Sequence, residues 1–197
     1  MYCIREDYVA RPENDPCPQV GTKDECQNEV YQYASRLPYI IDRIVDVGTG
    51  SGFKLMKYFH DSITLGLDIE PNLSLVRELY PEVGWKSRSW ALSDWDVPRT
   101  GYDLMIVADV IEHLPDPDRL MEFIRRSAPT FLIISTPDRD ALPREFEAGP
   151  PRNSTHVREW SSAEFRRYVE GWFAVMDHVL PRDRKITSTQ FILARGK

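Results

Sequence analysis

Asp46, Gly48, Gly50 and Gly52 alternate along Val45-Asp46-Val47-Gly48-Thr49-Gly50-Ser51-Gly52. The apolar run Ile44–Val47 stops at the first glycine, and a helix-compatible segment, Phe53–Phe59, follows the last. This pattern predicts a buried strand feeding a tight turn and then a helix. Glycine suits such a turn because a backbone without Cβ can bend sharply and let a ligand lie against it. Asp46 narrows the ligand, since its carboxylate repels a pyrophosphate but accepts an amine or a ribose hydroxyl. Asp68 lies 18 residues beyond Gly50. A carboxylate about 20 residues past a glycine turn is placed to accept both ribose hydroxyls. A helix-capping role near Pro71 is the plainer alternative for Asp68.

A second constellation follows further along the chain. Asp109, Glu112 and His113 stand at i, i+3 and i+4, so a helical turn would set all three on one side. His156 adds a second imidazole from a long irregular segment, Thr136–Trp160. Its ordinary pKa near 6.5 suits a general base at neutral pH. Packing of the loop against Trp160 is the alternative role. Two carboxylates and two imidazoles also form a donor set for a divalent metal. Arg139, Arg152 and Arg158 in the same segment are three cations that could clamp an anionic group of a substrate.

The elements that must hold these residues are legible in the apolar pattern. Strands are predicted at Ile44–Val47, Ser62–Ile69, Val83–Ser89, Tyr102–Ala108, Phe131–Ser135, Phe173–Leu180 and Ser188–Ala194. Helices are predicted over Asp24–Leu37, Phe53–Phe59, Pro71–Tyr80, Pro117–Arg126 and from a Ser161 cap to Glu170. Glu164 there completes a capping box. Alternating strands and helices with continuous Val, Ile and Leu runs indicate an α/β, doubly wound, mostly parallel sheet. The last two predicted strands have no helix between them and make an antiparallel C-terminal hairpin. In such a sheet ligands bind at the carboxyl ends of the strands. The glycine turn, Asp68, Asp109 and the start of the long segment all fall there. That segment, far beyond the usual loop of about 4–6 residues, is expected to be a functional lid.

Composition bounds the rest. The chain has 197 residues and a formal net charge of -6. This length suits one core, with residues 1–38 as an N-terminal arm and helix packing on a domain of residues 39–197. The negative charge argues against a nucleic-acid partner. No apolar run approaches the roughly 20 residues of a membrane span, and the N-terminal residues carry no apolar signal region. Cys3, Cys17 and Cys26 are odd in number, lie close together and contain no Cys-x-x-Cys pair. They suggest a cytoplasmic chain with neither a disulfide framework nor a zinc site. Without a secretion signal, the sequons at Asn72 and Asn153 read as chance matches.

The glycine spacing departs from G-x-G-x-x-G, and no Tyr-x-x-x-Lys pair follows, so hydride chemistry is disfavoured. Asp46-x-Gly48-x-Gly50-x-Gly52, Asp68 and the run Ala108-Asp109-Val110-Ile111-Glu112-His113-Leu114-Pro115-Asp116-Pro117 resemble a class I S-adenosylmethionine-dependent methyltransferase. The resemblance covers about Ile44 to Ala194 and is nearest to the branch of ubiquinone-biosynthesis and sugar O-methyltransferases. It implies a Rossmann-like, seven-stranded sheet with the last strand antiparallel, and S-adenosyl-L-methionine as cofactor. It implies that Asp46, Gly48, Thr49, Gly50 and Gly52 surround the methionine part, that Asp68 holds the ribose, and that Ile69 lies beside the adenine. Trp90, with Ser89 or Asp94, would flank the adenine, although Trp85–Trp90 departs from the family pattern there. Asp109 would line the methyl-transfer pocket.

The expected activity is methyl transfer to a small polar acceptor, anionic or sugar-like, with His156 or His113 taking its proton. Two alternatives stand beside it. One is a metal-dependent enzyme using Asp109, Glu112, His113 and His156, which also resembles the metal site of small-RNA 3′-end methyltransferases. The other is a cofactor-binding module without catalysis. The acceptor and the oligomeric state are not legible in the chain.

Overall fold

The computed structural model describes residues 3–4, 27–69, 72–81, 84–87, 101–141, 150–151, 153–180 and 189–197. Its main sheet has seven strands: β2 (Arg43–Val47), β3 (Ile63–Asp68), β4 (Gly84–Ser87), β5 (Leu104–Val107), β6 (Phe131–Pro137), β8 (Ala174–Val179) and β9 (Thr189–Arg195). The spatial order is β4-β3-β2-β5-β6-β9-β8. Pairings among β2 to β6 are parallel, and β9 runs antiparallel to both β6 and β8. The C-terminal hairpin therefore closes one edge as expected. A separate two-stranded ladder joins β1 (Cys3–Ile4) to β7 (Arg158–Glu159).

Successive side chains on a strand point to opposite faces, and β2 shows why both faces are covered. Val45 and Val47 join a cluster with Leu120, Met121 and Ile124 of α4 (Pro117–Ser127) and Phe165 and Val169 of α5 (Ser162–Trp172). Ile44 joins the opposite cluster, with Tyr31 of α1 (Asn28–Ala34), Leu55 of α2 (Phe53–Phe59) and Leu73 of α3 (Asn72–Leu79). Asp46 shares the parity of Ile44, so its carboxylate is sent towards α1.

Local signals explain the helix ends. The Ser161 hydroxyl accepts from the Glu164 N–H, and the Glu164 carboxylate accepts from the Ser161 N–H, which completes the predicted capping box. Pro117 opens α4, and Ala128 closes it in the left-handed region. Helix α1 stops at Ala34, short of the predicted Leu37. A tighter turn carries Arg36 and Leu37, and Pro38 disfavours further helix before it.

The Thr136–Trp160 segment, expected as a lid, is described at its two ends. Strand β6 continues through Pro137, because Thr136 and Pro137 pair with Gln190 and Thr189 of β9. At the other end Val157, Arg158, Glu159 and Trp160 are all buried, and Trp160 bridges to Asp138. Both ends of the segment are thus built into the domain. Residues 142–149 and 152 lie outside the described residues. No helix among the described residues is long and apolar enough to cross a membrane.

Candidate functional site

Strand order reverses between β2 and β5, the place where an open parallel sheet leaves a crevice at its carboxyl ends. The glycine turn leaves β2 there. Gly48, Gly50 and Gly52 have φ of 76°, 55° and 70°, all in the left-handed region that glycine alone enters without cost. The Gly48 and Thr49 N–H groups donate to the Leu67 carbonyl, which ties the turn to β3. A Cβ on Gly48 would collide with the Val110 side chain, whereas a Cβ on Gly50 would meet no atom within 4 Å. Gly48 is therefore there for packing. Gly50 leaves a strip of backbone facing open space, against which a ligand can lie.

Asp68 ends β3 beside this strip. One carboxylate oxygen accepts from the Gly50 N–H at 2.6 Å. The other accepts from the Ile69 N–H at 2.7 Å and from the Asn72 amide at 3.2 Å. Asp68 thus braces both the turn and the start of α3, so the capping role is present.

Asp46, in β2 just before the turn, is fully buried. The Tyr31 phenol, delivered by α1, donates to both of its oxygens. Burial pushes the Asp46 pKa up to about 6, against the pull of the Tyr31 hydrogen bond and the Lys54 ammonium. A carboxylate poised in this way favours a cationic ligand group over an anionic one.

Asp109 follows β5 with φ of 52°, a conformation that aspartate tolerates better than most residues. One oxygen accepts from the Ser135 hydroxyl at 2.6 Å. The other accepts from the Gln27 amide at 2.9 Å and the Thr189 hydroxyl at 3.0 Å. The chain then makes a short 3-10 turn over Ile111–His113. The predicted one-sided set of Asp109, Glu112 and His113 is corrected here. Asp109 sits before the turn and is drawn to β6, β9 and the residue preceding α1.

Glu112 and His113 instead meet His156. A Glu112 carboxylate oxygen and one nitrogen of each imidazole lie within 4.8 Å of one another. The imidazoles pack edge to face with centroids 4.9 Å apart. The Glu112 carbonyl accepts from the Val157 N–H, which fixes the His156 segment against the turn. The Glu112 side chain is 1% exposed. Its Oε2 accepts from the Thr136 hydroxyl, and its Oε1 has no hydrogen-bond partner among the described residues. Burial, followed by repulsion from Asp109, holds its pKa well above the usual carboxylate range.

The partners assign the imidazole protons. His113 Nδ1 faces the Thr155 carbonyl at 2.8 Å, and a carbonyl can only accept, so Nδ1 carries hydrogen and Nε2 the lone pair. Asn153 Oδ1 accepts from the Thr155 N–H and hydroxyl, which leaves Nδ2 to donate to His156 Nε2 at 3.0 Å. His156 Nδ1 then donates to Glu159 at 3.0 Å. His156 is thus a buried, carboxylate-braced imidazole rather than an exposed loop residue.

Of the three arginines expected to form a clamp, Arg158 is turned into the domain. Arg158 is buried, donates to the Pro115 carbonyl and stacks over Trp160. Arg139 lies in the short turn after β6, and its N–H donates to the Trp160 carbonyl. Arg152 lies outside the described residues, as do Trp90, Ser89 and Asp94. Ile69 is buried directly after β3. Sequence reasoning missed Gln27, Tyr31, Ser135, Thr189 and Glu159. Of these, only Tyr31 had a signal, as an apolar position of α1.

This geometry can be set beside known proteins. The chain matches the family described as "Methyltransferase domain" over residues 19–171. It belongs to that family. No curated protein matches by sequence.

Solved structures show the same fold at low identity. The N-methyltransferase NodS of Bradyrhizobium japonicum, in complex with S-adenosyl-L-homocysteine, superposes with a TM-score of 0.66 at 13% identity. That alignment covers 86% of this chain and 85% of NodS. An S-adenosylmethionine-dependent methyltransferase of Mesorhizobium loti gives 0.64 at 20% identity, covering 85% and 97%. A complex of the Haloferax volcanii Trm112 methyltransferase activator with a methyltransferase gives 0.66 at 16% identity, covering 88% and 91%.

As a class I methyltransferase, the chain has S-adenosylmethionine as its cofactor. The residues present fit that group. Gly50 offers bare backbone beside open space, the Asp68 carboxylate accepts from its N–H, and Asp46 lies in the strand that leads into the same turn.

Proposed function

We propose that this methyltransferase methylates an oxygen of a small polar metabolite. Asp46 and the backbone of Gly48, Thr49, Gly50 and Gly52 would hold the methionine part of the cofactor. Asp68 would hold the ribose, and Ile69 would lie against the adenine. Trp90 is assigned to the adenine by family resemblance alone. The cofactor supplies an electrophilic methyl on a sulfonium, so the protein's work is alignment and exclusion of water.

The observation that carries the oxygen assignment is the Glu112–His113–His156 group beyond Asp109. A hydroxyl acceptor must lose its proton, whereas an amine mainly needs desolvation. Both imidazoles have the proton assigned to Nδ1 and the lone pair to Nε2, where His156 accepts from the Asn153 amide, and Glu159 braces His156 from its other side. Asp109, held by three donors from other elements, shapes the pocket wall. The sugar-like character of the acceptor is supported by the sequence resemblance to sugar O-methyltransferases. Arg158, committed to Pro115 and Trp160, does not supply the clamp expected for an anionic acceptor. The cytoplasm is the proposed compartment, on the cysteine pattern.

The test is formation of S-adenosylhomocysteine from S-adenosylmethionine across panels of polyhydroxylated metabolites, hydroxy acids and amines. Turnover with a hydroxylated acceptor is expected, and His113→Ala should lower kcat by roughly 10²–10⁴. Turnover confined to amines would overturn the oxygen assignment. Binding of the cofactor with no turnover on any panel would favour a non-catalytic module.

A further inference from the structure

We propose that Glu112, His113 and His156 bind a divalent transition-metal cation whose open positions take two adjacent oxygens of the acceptor. Cation binding stands on its own. The role of the acceptor oxygens rests on the functional reading above.

The three ligand atoms lie within 4.8 Å of one another. Three ligands about 2.0–2.2 Å from a common tetrahedral ion stand about 3.3–3.6 Å from one another, so the side chains need to close by up to about 1.5 Å around it.

Two independent features point to an ion. The first is Glu112 Oε1, a carboxylate oxygen buried without a hydrogen-bond donor among the described residues. Leaving such a group unsatisfied is costly, and a cation removes that cost. The second is the support behind the imidazoles. His113 Nδ1 donates to the Thr155 carbonyl and His156 Nδ1 to the Glu159 carboxylate. These are the outer contacts that orient metal-ligating histidines and raise the basicity of their other nitrogen. The Asn153 amide now on His156 Nε2 would be displaced by the ion. Asn153 sits in a turn whose Oδ1 contacts to Thr155 can persist.

The donor set selects the cation class. Two imidazoles and one carboxylate suit zinc, manganese, iron or cobalt, and fit poorly the all-oxygen shells of calcium and magnesium. Three protein ligands leave room for substrate oxygens. An acceptor with a hydroxyl beside a second oxygen, a vicinal diol or a hydroxy acid, would chelate there. The reacting hydroxyl loses its proton to bulk water as the new C–O bond forms, and the S–C bond breaks with its electron pair going to sulfur. With the ion in place, His113 and His156 act as ligands, and the ion stabilises the oxygen anion in their stead.

The full chain is treated with chelator, dialysed and titrated with Co²⁺, with visible absorption recorded. The expected spectrum shows d–d bands that saturate at one ion per chain, without intense thiolate charge transfer. Glu112→Gln and His113→Ala should each weaken Co²⁺ by about tenfold or more. Calorimetry with S-adenosylhomocysteine checks that each variant is folded, and Glu112→Asp or His113→Gln replaces a variant that is not.

Absence of Co²⁺ bands in protein that binds S-adenosylhomocysteine would overturn the site. So would thiolate bands, or affinity unchanged in folded variants. The two readings fail separately. Hydroxyl methylation that persists in chelator would sink the cation's role and leave the proposed function standing. Site-specific Co²⁺ binding with no hydroxyl methylated would do the reverse.

Discussion

The Tyr31 phenol donates to both carboxylate oxygens of Asp46, at 3.0 and 3.1 Å. This contact joins α1 to the end of β2 and holds the buried carboxylate in a single orientation beside the glycine turn. Tyr31→Phe keeps the ring that packs against the core and removes only the donor. A hydrogen bond to a charged group contributes about 1.5–3 kcal/mol, so affinity for S-adenosylhomocysteine should fall by roughly tenfold or more. Calorimetric titration reads this directly. Unchanged affinity would show that α1 only packs there and does not tune the site.

Asp46 also sets a trade between stability and binding. Its pKa rises from 3.8 to about 6 on folding, mainly through burial. Between those values the folded chain binds more protons than the unfolded one. Its contribution therefore favours folding below about pH 4, declines as pH rises to about 6, and is flat beyond. Two units correspond to about 3 kcal/mol. Asp109 and Glu112, also raised by burial, act in the same direction. Asp46→Asn should therefore match or exceed the wild type in denaturant unfolding at about pH 7, by up to about 3 kcal/mol, while losing cofactor affinity. A variant clearly less stable at that pH would contradict the assigned cost of burial.

The turn glycines are not equivalent. Gly48→Ala places a methyl into Val110, so a loss of about 1–3 kcal/mol in unfolding free energy is expected, with part regained in Gly48→Ala/Val110→Ala. Gly50→Ala meets open space, and the fold should lose only about 1 kcal/mol from its left-handed φ. Its methyl would project where the ligand lies, so binding should suffer more than stability. Equal effects of the two substitutions on both measurements would contradict this division.

Asp68→Ala removes the acceptor assigned to the ribose and also frees the Gly50 N–H. Affinity for S-adenosylmethionine should fall by about 1–3 kcal/mol. The loss should be smaller for a cofactor analogue lacking the ribose hydroxyls. The same loss with both ligands would assign Asp68 to bracing the turn alone.

The fold was legible in the sequence because its signals are local. The run Ile44–Val47 ending at Gly48 locates β2, Phe53–Phe59 is α2 to the residue, and Ser161 with Glu164 marks α5. The glycine turn and the Asp109–Pro117 run were enough to point to the family. The site was less legible, because its contacts span long stretches of chain. Gln27 and Thr189 reach Asp109 across 82 and 80 residues. No periodicity reports such meetings. The helical spacing of Asp109, Glu112 and His113 misled because the left-handed Asp109 breaks the turn before it starts. The loop composition around His156 gave no sign that His156 to Trp160 are buried where β1 and Asp138 pair with this stretch.

The most direct test is calorimetric titration of the full chain with S-adenosylmethionine and, in parallel, with NAD. Saturable binding of S-adenosylmethionine at one site per chain is predicted, weakened in Asp68→Ala and Tyr31→Phe, with no binding of NAD. Folded protein that gives no heat with S-adenosylmethionine, or that prefers NAD, would contradict the account at its centre.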